Sequence, residues 1–431
     1  MKFNTIVKSA LAAATSLALG FGTVACSRDF TVAYVYSTSA SNGTVSAFAV
    51  DYQSGELTQL NGSPFPTQFG NPVSIISHPN GRFVYVISGS QNAAVESFAV
   101  GSDGKLYAQT TVNITSGATY PTAAAIDPAG NFLYVTFTLQ PSFTTASPGP
   151  GGITIFPIHS DGTLGTPFGS GSLGYVPVGN NPVAIAVSAT TCSSTPIIPG
   201  NTACPTGSVN SFVYVVDQEA SPNAAIIGFA QNTSTGALTL LSGSTCTTAT
   251  PTVPNTCKGY HAGVTPSAIA IEPTGRFVYV TDKTSNQVIG YQIATTTTGA
   301  LTPLVSSPYT TGLYPVAITV DPRGKYVYTA NYNANTVSAF SIDPASGSLG
   351  GAAGIGNFTA STGPTCVTIE PALGIYLYTS NYLDASISGG QLSPNTGSLS
   401  GIPNTPFPAQ SLPSCVTSVP NGSHSAQLVS P

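Results

Sequence analysis

The stretch PSAIAIEPTGRFVYVTDKTSNQVIGYQIATTTTGAL, residues 266–301, decides the fold of this chain. It begins with a short apolar run at Pro266, turns at Glu272-Pro273-Thr274-Gly275, and continues into FVYVT, which is rich in β-branched and aromatic residues. A polar loop, a third alternating run and a Thr298-Gly299 hairpin into a fourth complete the unit. The period is two throughout and never 3.6, so the unit reads as four antiparallel strands with no helix.

The same unit recurs along the chain, and a recurrent unit sets the architecture before any single residue is interpreted. Second-strand tyrosines fall at Tyr34, Tyr85, Tyr134, Tyr214, Tyr279, Tyr328 and Tyr378. Hairpin glycines fall at Gly55, Gly104, Gly162, Gly236, Gly299, Gly347 and Gly397, each two residues before a Leu. Each set has seven members, so seven repeats are expected. Opening strands start at Pro72, Pro121, Pro182, Pro266, Pro315, Pro364 and Pro413, with steps of 49, 61, 84, 49, 49 and 49 residues. The first repeat, from Thr31, lacks an opening strand, and the last opening strand, from Pro413, has no partner after it. Joining the two closes a ring and removes the free strand edges of an open array. The predicted fold is all-β: a seven-bladed β-propeller of four-stranded blades, closed when the C-terminal strand completes the first blade.

Composition agrees with this class. The chain has 431 residues, 41% hydrophobic, with 45 Gly and 35 Pro for turns. Only 6% are charged, against roughly 25% in an average soluble domain. Ten Lys and Arg against 15 Asp and Glu argue against nucleic acid as a partner, because phosphate-backbone affinity depends on cations. The N-terminus reads as a targeting segment: Lys2 and Lys8, an apolar run over 10–21, then Thr23-Val24-Ala25-Cys26. That ending is similar to a lipoprotein signal, with Cys26 as the lipidated residue. The expected organisation is a signal peptide over 1–25, an anchor and linker over 26–29, the propeller over 30–420 and a tail over 421–431. Membrane attachment through the lipid, and a place in the bacterial cell envelope or outside the cell, follow as expectations. Setting Cys26 aside leaves six cysteines, an even number suited to an oxidising compartment. Cys192 with Cys204, and Cys246 with Cys257, each bracket an insertion; Cys366 and Cys415 occupy one place in two repeats.

Propeller geometry sorts the loops onto two faces. The x-Pro-x-Gly turns after the opening strands share the bottom face, where Asp127, Glu272, Asp321, Glu370 and His78 read as turn residues whose polar atoms bind local backbone. Loops that vary on a rigid scaffold tend to carry function, and the top face carries them here. There the second strands run into Asp217-Gln218-Glu219, Asp282-Lys283, Asn331-Tyr332 and Asn381-Tyr382, with Lys258, Tyr260 and His261 just before Pro266. In a chain so poor in charge, that gathering over the fourth and fifth repeats is the candidate site. Asp217, Glu219 and His261 would carry acid/base work and Lys283 would stabilise an oxyanion. Lys258, Tyr260, Asp282, Asn331, Tyr332, Asn381 and Tyr382 would bind. No metal or cofactor is expected: Cys/His spacings for zinc and acidic calcium loops are both absent.

Phe-Val-Tyr-Val-Thr-Asp (277–282), Leu-Tyr-Val-Thr-Phe (133–137), Tyr-Thr-Ala-Asn (328–331) and Tyr-Thr-Ser-Asn (378–381) resemble the YVTN propeller repeat. Together with the Pro-x-Gly turns and Gly-x-Leu hairpins, they make the chain similar to the seven-bladed lactonase family, which includes 6-phosphogluconolactonase and muconate-cycloisomerase-like proteins. The resemblance implies lactone hydrolysis, and in enzymatic members an Arg-His after an opening Pro and an Asn-Glu ending a second strand. The openings here carry no Arg-His, and Asp217-Gln218-Glu219, Asn331-Tyr332 and Asn381-Tyr382 stand nearest to Asn-Glu. Two functions are therefore expected. The first is a lipid-anchored, monomeric binding module of the envelope for a neutral glycan or a protein. The alternative is a lactonase for an unphosphorylated sugar or related lactone, using Asp217, Glu219, His261 and Lys283.

Overall fold

Strand pairing in the computed structural model follows the repeat. It describes residues 30–89, 93–114, 118–139, 151–189, 211–219, 224–246, 257–294, 298–351 and 356–422. Seven antiparallel sheets form the blades, six with the four expected strands; in blade 3 the run after the Gly162 hairpin is reduced to isolated bridges at Leu164 and Phe168, and Val176–Pro177 is the fourth strand of the sheet. The innermost strands are Pro413–Pro420 for blade 1, then Pro72–Ser77, Thr119–Ile126, Pro182–Val187, Pro266–Ile271, Pro315–Val320 and Pro364–Ile369 for blades 2 to 7. Each lies beside the next around the full circle, and Pro364–Ile369 meets Pro413–Pro420 to complete it. The closing strand pairs with Thr31–Ser39, Tyr34 opposite Val419 and Tyr36 opposite Thr417, so the first blade is built from both ends of the chain.

Five blades go beyond four strands. A two- or three-residue strand returns along the third strand in blades 1, 4, 5, 6 and 7, for example Tyr309–Thr310 against Gln287–Ile293. Such short pieces cover the part of the third strand that the fourth leaves open, which limits the exposed edge.

The apolar core consists of seven clusters, one in each seam between neighbouring blades. Phe277, Tyr279, Val288, Val327 and Phe340 fill the seam of blades 5 and 6, and Val35, Phe48, Tyr376, Tyr378 and Val416 that of blades 7 and 1. Each seam carries the same latch. A second-strand tyrosine donates its hydroxyl to the carbonyl of the hairpin glycine one blade on: Tyr85 to Gly162 at 3.0 Å, Tyr214 to Gly299 at 2.6 Å, Tyr279 to Gly347 at 2.7 Å. In blade 1 the donor is Tyr36, to Gly104 at 2.7 Å, and not Tyr34, whose ring takes the place that Phe83 has in blade 2. Both tyrosines are on one face of the strand, two residues apart, so alternation alone does not separate them. The last latch, Tyr378 to Gly55 at 2.6 Å, closes the ring.

The hairpin position needs glycine for two reasons. Gly347 has φ +72°, which favours a residue without Cβ, and a Cβ there would meet the Phe277 ring at 2.3 Å. Covalent closure is added by the Cys366–Cys415 disulfide, which joins the innermost strands of blades 7 and 1, with Cα atoms 4.9 Å apart. Cys246–Cys257 ties the ribbon of Thr245–Cys246 and Cys257–Lys258. Cys26, Cys192 and Cys204 lie outside the described residues.

The bottom turns are as expected of their residue types. Asp127 accepts the N–H groups of Asn131 and Phe132, and Glu370 those of Ala372, Leu373 and Ile375. Two rim cations do more than sit in solvent. Arg276 donates to the Pro344 carbonyl and Arg323 to that of Gly374, each one blade on.

Candidate active site

The mouth of the channel is built from one recurring backbone position: the residue that ends the second strand, opposite the opening proline. Pro72 faces Ser88, Pro182 faces Asp217, Pro266 faces Asp282, Pro315 faces Asn331 and Pro364 faces Asn381. All five side chains are buried, because the incoming loop folds over them before the opening strand begins. Their polar atoms must therefore find partners within the protein.

Asp282 is fully satisfied. Its carboxylate accepts the N–H of Val264 at 2.8 Å and of Thr265 at 3.0 Å. Burial alone would push this carboxyl up, but those donors and the Ser285 hydroxyl outweigh it and hold the group below its usual range. Asn331 and Asn381 turn instead to their own blades, through Thr336 and Ser338, and through Ser386 and Ser388. In blade 2 the loop is held from the third strand: Glu96 accepts the N–H groups of Gln68 and Phe69. Sequence reasoning missed Glu96, although a lone carboxylate inside the buried run AVESFAV (94–100) was a usable signal.

Asp217 differs. One carboxylate oxygen accepts the Asn181 N–H at 2.7 Å, while Oδ2 is buried without a hydrogen-bond partner among the described residues. Gly179 packs so closely that a Cβ there would overlap Oδ2. Burial, with the neighbouring Glu219 carboxylate added to it, pushes the Asp217 carboxyl up to about 7. Glu219 is half-buried and accepts from Asn180 twice, from N–H at 3.1 Å and from Nδ2 at 2.6 Å. Asn180, unremarkable in the sequence, thus fixes the second member of a carboxyl pair. Gln218 between them donates to the Pro266 carbonyl at 2.6 Å and links blade 4 to blade 5. The Glu219 carboxylate thus adds to burial in disfavouring an ionised Asp217.

The other candidate residues are spread along the rim. Tyr260 and His261 form a short outer strand on blade 4, where Ala225 lies between Asp217 and His261 in the row of paired residues. Two strand spacings separate their backbones by about 10 Å. Among the described residues no hydrogen bond joins the His261 imidazole to Asp217 or Glu219; the His261 carbonyl accepts the Tyr291 hydroxyl. Lys258 is exposed on the disulfide ribbon, and the buried Tyr260 hydroxyl has no hydrogen-bond partner among the described residues. Lys283 is half-buried, its ammonium 5.7 Å from the centre of the Tyr314 ring, and burial lowers its pKa. Tyr332 stands against Tyr314, ring centres 6.3 Å apart, and Tyr382 follows Asn381 in blade 7 with its N–H bound to the Gly363 carbonyl.

Where the resemblance implies an arginine after an opening proline, three of the residues present do a different job. Thr122, Ser267 and Ser414 donate to the carbonyls of Pro182, Pro315 and Pro72, each one blade on, at 2.6 to 2.7 Å. The top of the ring is thus stitched by small hydroxyls.

Comparison with known proteins agrees with this architecture. No curated protein matches the sequence. Among solved structures, a candidate 6-phosphogluconolactonase from Bacteroides uniformis superposes with a TM-score of 0.63 at 19% identity, covering 91% of this chain and 100% of that one. The periplasmic gluconolactonase PpgL of Pseudomonas aeruginosa gives 0.65 at 16% identity, covering 90% and 99%. At these identities the likeness is one of fold. The sequence itself matches the family described as Lactonase, 7-bladed beta-propeller over residues 32–169 and 208–369. The chain belongs to the seven-bladed β-propeller lactonase family.

Proposed function

We propose that this protein hydrolyses an unphosphorylated sugar lactone at the mouth of blade 4. The observation that carries the reading is the Asp217–Glu219 pair, with Asp217 pushed up to about 7. A buried carboxyl with a raised pKa keeps its proton near neutral pH and is poised to exchange it with a neighbouring group. Glu219 is the member that reaches solvent, and the buried Asp217 beneath it holds the proton of the pair. In the reaction a water oxygen adds to the lactone carbonyl carbon while the pair takes the water proton. The ring C–O bond then breaks and the proton passes to the departing oxygen, giving the open hydroxy acid.

The absence of a cation cluster favours a neutral substrate. Among the described residues, the cations at the mouth are Lys258 and Lys283, too few for the multidentate clamp a phosphate calls for. A structural neighbour is named a periplasmic gluconolactonase, a substrate and a location that suit the same reading. The test is hydrolysis of D-glucono-1,5-lactone near pH 6, with buffer alone as background. Wild type should exceed the background, and Asp217→Asn and Glu219→Gln should fall to it. A wild-type rate no faster than buffer defeats the proposal.

Export to the envelope, with Cys26 lipidated, is proposed alongside it. The two disulfides, Cys246–Cys257 and Cys366–Cys415, support an oxidising compartment. Membrane fractionation and the mass of the mature N-terminus test it; an unprocessed cytoplasmic chain would overturn it. A binding role for glycans or proteins stays as the second reading, favoured by the aromatic rim described next.

A further inference from the structure

Just before five of the seven opening prolines the backbone takes an unusual conformation. The carbonyl of the residue preceding the proline accepts an N–H that follows the second strand: Asn71 from Gly89, Tyr314 from Tyr332, Gly363 from Tyr382, Leu412 from Ala40. In five blades the chain is left-handed at the residue before the proline, with φ +60° at Asn71, +55° at Tyr120, +60° at Tyr314, +69° at Gly363 and +53° at Leu412, whereas Asn181 and Thr265 of blades 4 and 5 accept the corresponding N–H without a positive φ. Glycine takes that conformation freely and asparagine tolerates it; bulky side chains are strained by it. Blades 7 and 2 use Gly363 and Asn71. Blades 3, 6 and 1 carry Tyr120, Tyr314 and Leu412 instead.

These side chains stay out of the core. None of the three belongs to a core cluster between blades. Tyr120 is 39% exposed. Neither the Tyr120 nor the Tyr314 hydroxyl has a protein partner among the described residues, whereas the seven latch tyrosines all do. Tyr314 and Leu412 are half-buried, and strain kept outside the core at positions that glycine would satisfy points to function. Around Tyr314 the surface is continuous: the Lys283 ammonium lies over its ring, Tyr332 stands beside it, and Tyr332 and Leu383 both close on Gly363.

We infer that this rim is a saccharide-binding collar, with Tyr120 and Tyr314 as its principal contacts for neutral sugar rings. Rigid aromatic surface suits the C–H faces of a pyranose, and free phenol hydroxyls suit its hydroxyl groups. The scarcity of charge along the rim suits a neutral ligand better than an anionic one. The inference does not need the hydrolysis proposed above, because a collar that holds sugar rings serves a lactonase and an envelope binding protein alike.

The experiment uses ligands that cannot be hydrolysed as lactones. Methyl glucopyranoside, methyl galactopyranoside and maltotriose are titrated against the mature protein by saturation-transfer NMR and calorimetry. Wild type should bind at least one at millimolar concentration, and Tyr120→Gly/Tyr314→Gly should weaken that binding by roughly tenfold or more. Because glycine relieves the strain, the melting temperature of the double variant should be unchanged or raised. Failure of wild type to bind any of the three overturns the inference, as does undiminished binding by the double variant. A fall of several degrees in its melting temperature also overturns it, since the rings would then be serving the fold.

Discussion

Blades 4 and 5 place an aspartate at the same backbone position, opposite the opening proline and out of solvent, yet the two groups titrate in opposite directions. Asp282 meets two backbone N–H groups and stays ionised. Asp217 meets one along with a second carboxylate, and its Oδ2 has no partner among the described residues. Burial is common to both, so the difference lies in what the incoming loop brings. A donor pair makes a structural clamp, whereas a donor and a carboxylate make a group poised to exchange a proton near neutral pH.

The largest effect should come from the clamp. Asp282→Ala leaves the Val264 and Thr265 N–H groups without their acceptor, and should cost about 3 kcal/mol in denaturant unfolding. A cost below about 1 kcal/mol would mean that Asp282 does not hold the loop. Next in size is the pH dependence of stability. Asp217 has a raised pKa in the folded state, so its contribution is full below the unfolded value and is lost as pH rises from about 4 towards 7. Asp282 has a lowered pKa, so its contribution is present above about pH 4 and is lost as pH falls below it. Asp217→Asn should therefore flatten the decline between about pH 4 and 7 and leave the acid limb unchanged; an unchanged decline would assign it to another group.

A smaller shift should follow Glu219→Gln. Removing that charge should lower the Asp217 midpoint, but burial, the larger cause, should keep it above the ordinary carboxylate value. A midpoint unmoved by the change would break the pairing. The smallest effect should fail to distinguish the blades. Tyr214→Phe and Tyr279→Phe each remove one latch hydrogen bond and should each cost about 1 kcal/mol. Unequal costs would show that blades 4 and 5 differ in scaffold as well as at the mouth.

Much of this architecture was legible in the chain. Alternation, turn residues and the Gly-x-Leu hairpins repeat often enough for ring closure to follow from the unpartnered strands at Thr31 and Pro413. Cys366 and Cys415 share a place in adjacent repeats, but their separation beside the channel could not be read from the chain, and the structure supplies the bond. Tyr34 stood in the tyrosine series in place of the latch residue Tyr36 because residues two apart in a strand point the same way. Tyr309–Thr310 and its counterparts escaped notice because two residues carry no period. At the mouth, residue type was readable and its consequence was not. Asp217 and Asp282 look alike as carboxylates ending a strand, and only the loops over 179–181 and 263–265 separate them. The left-handed Tyr120 and Tyr314 ran against expectation, since a residue before proline ordinarily takes an extended conformation.

The carboxyl pair at the mouth of blade 4 is the centre of this account, and a carbon-13 NMR titration of the aspartate carboxyls tests it most directly. One aspartate should titrate with a midpoint near 7, the value to which Asp217 is pushed, and its resonance should vanish in Asp217→Asn. If no aspartate titrates between about pH 6 and 8, or if the one that does survives in Asp217→Asn, the pair does not hold the proton the mechanism requires.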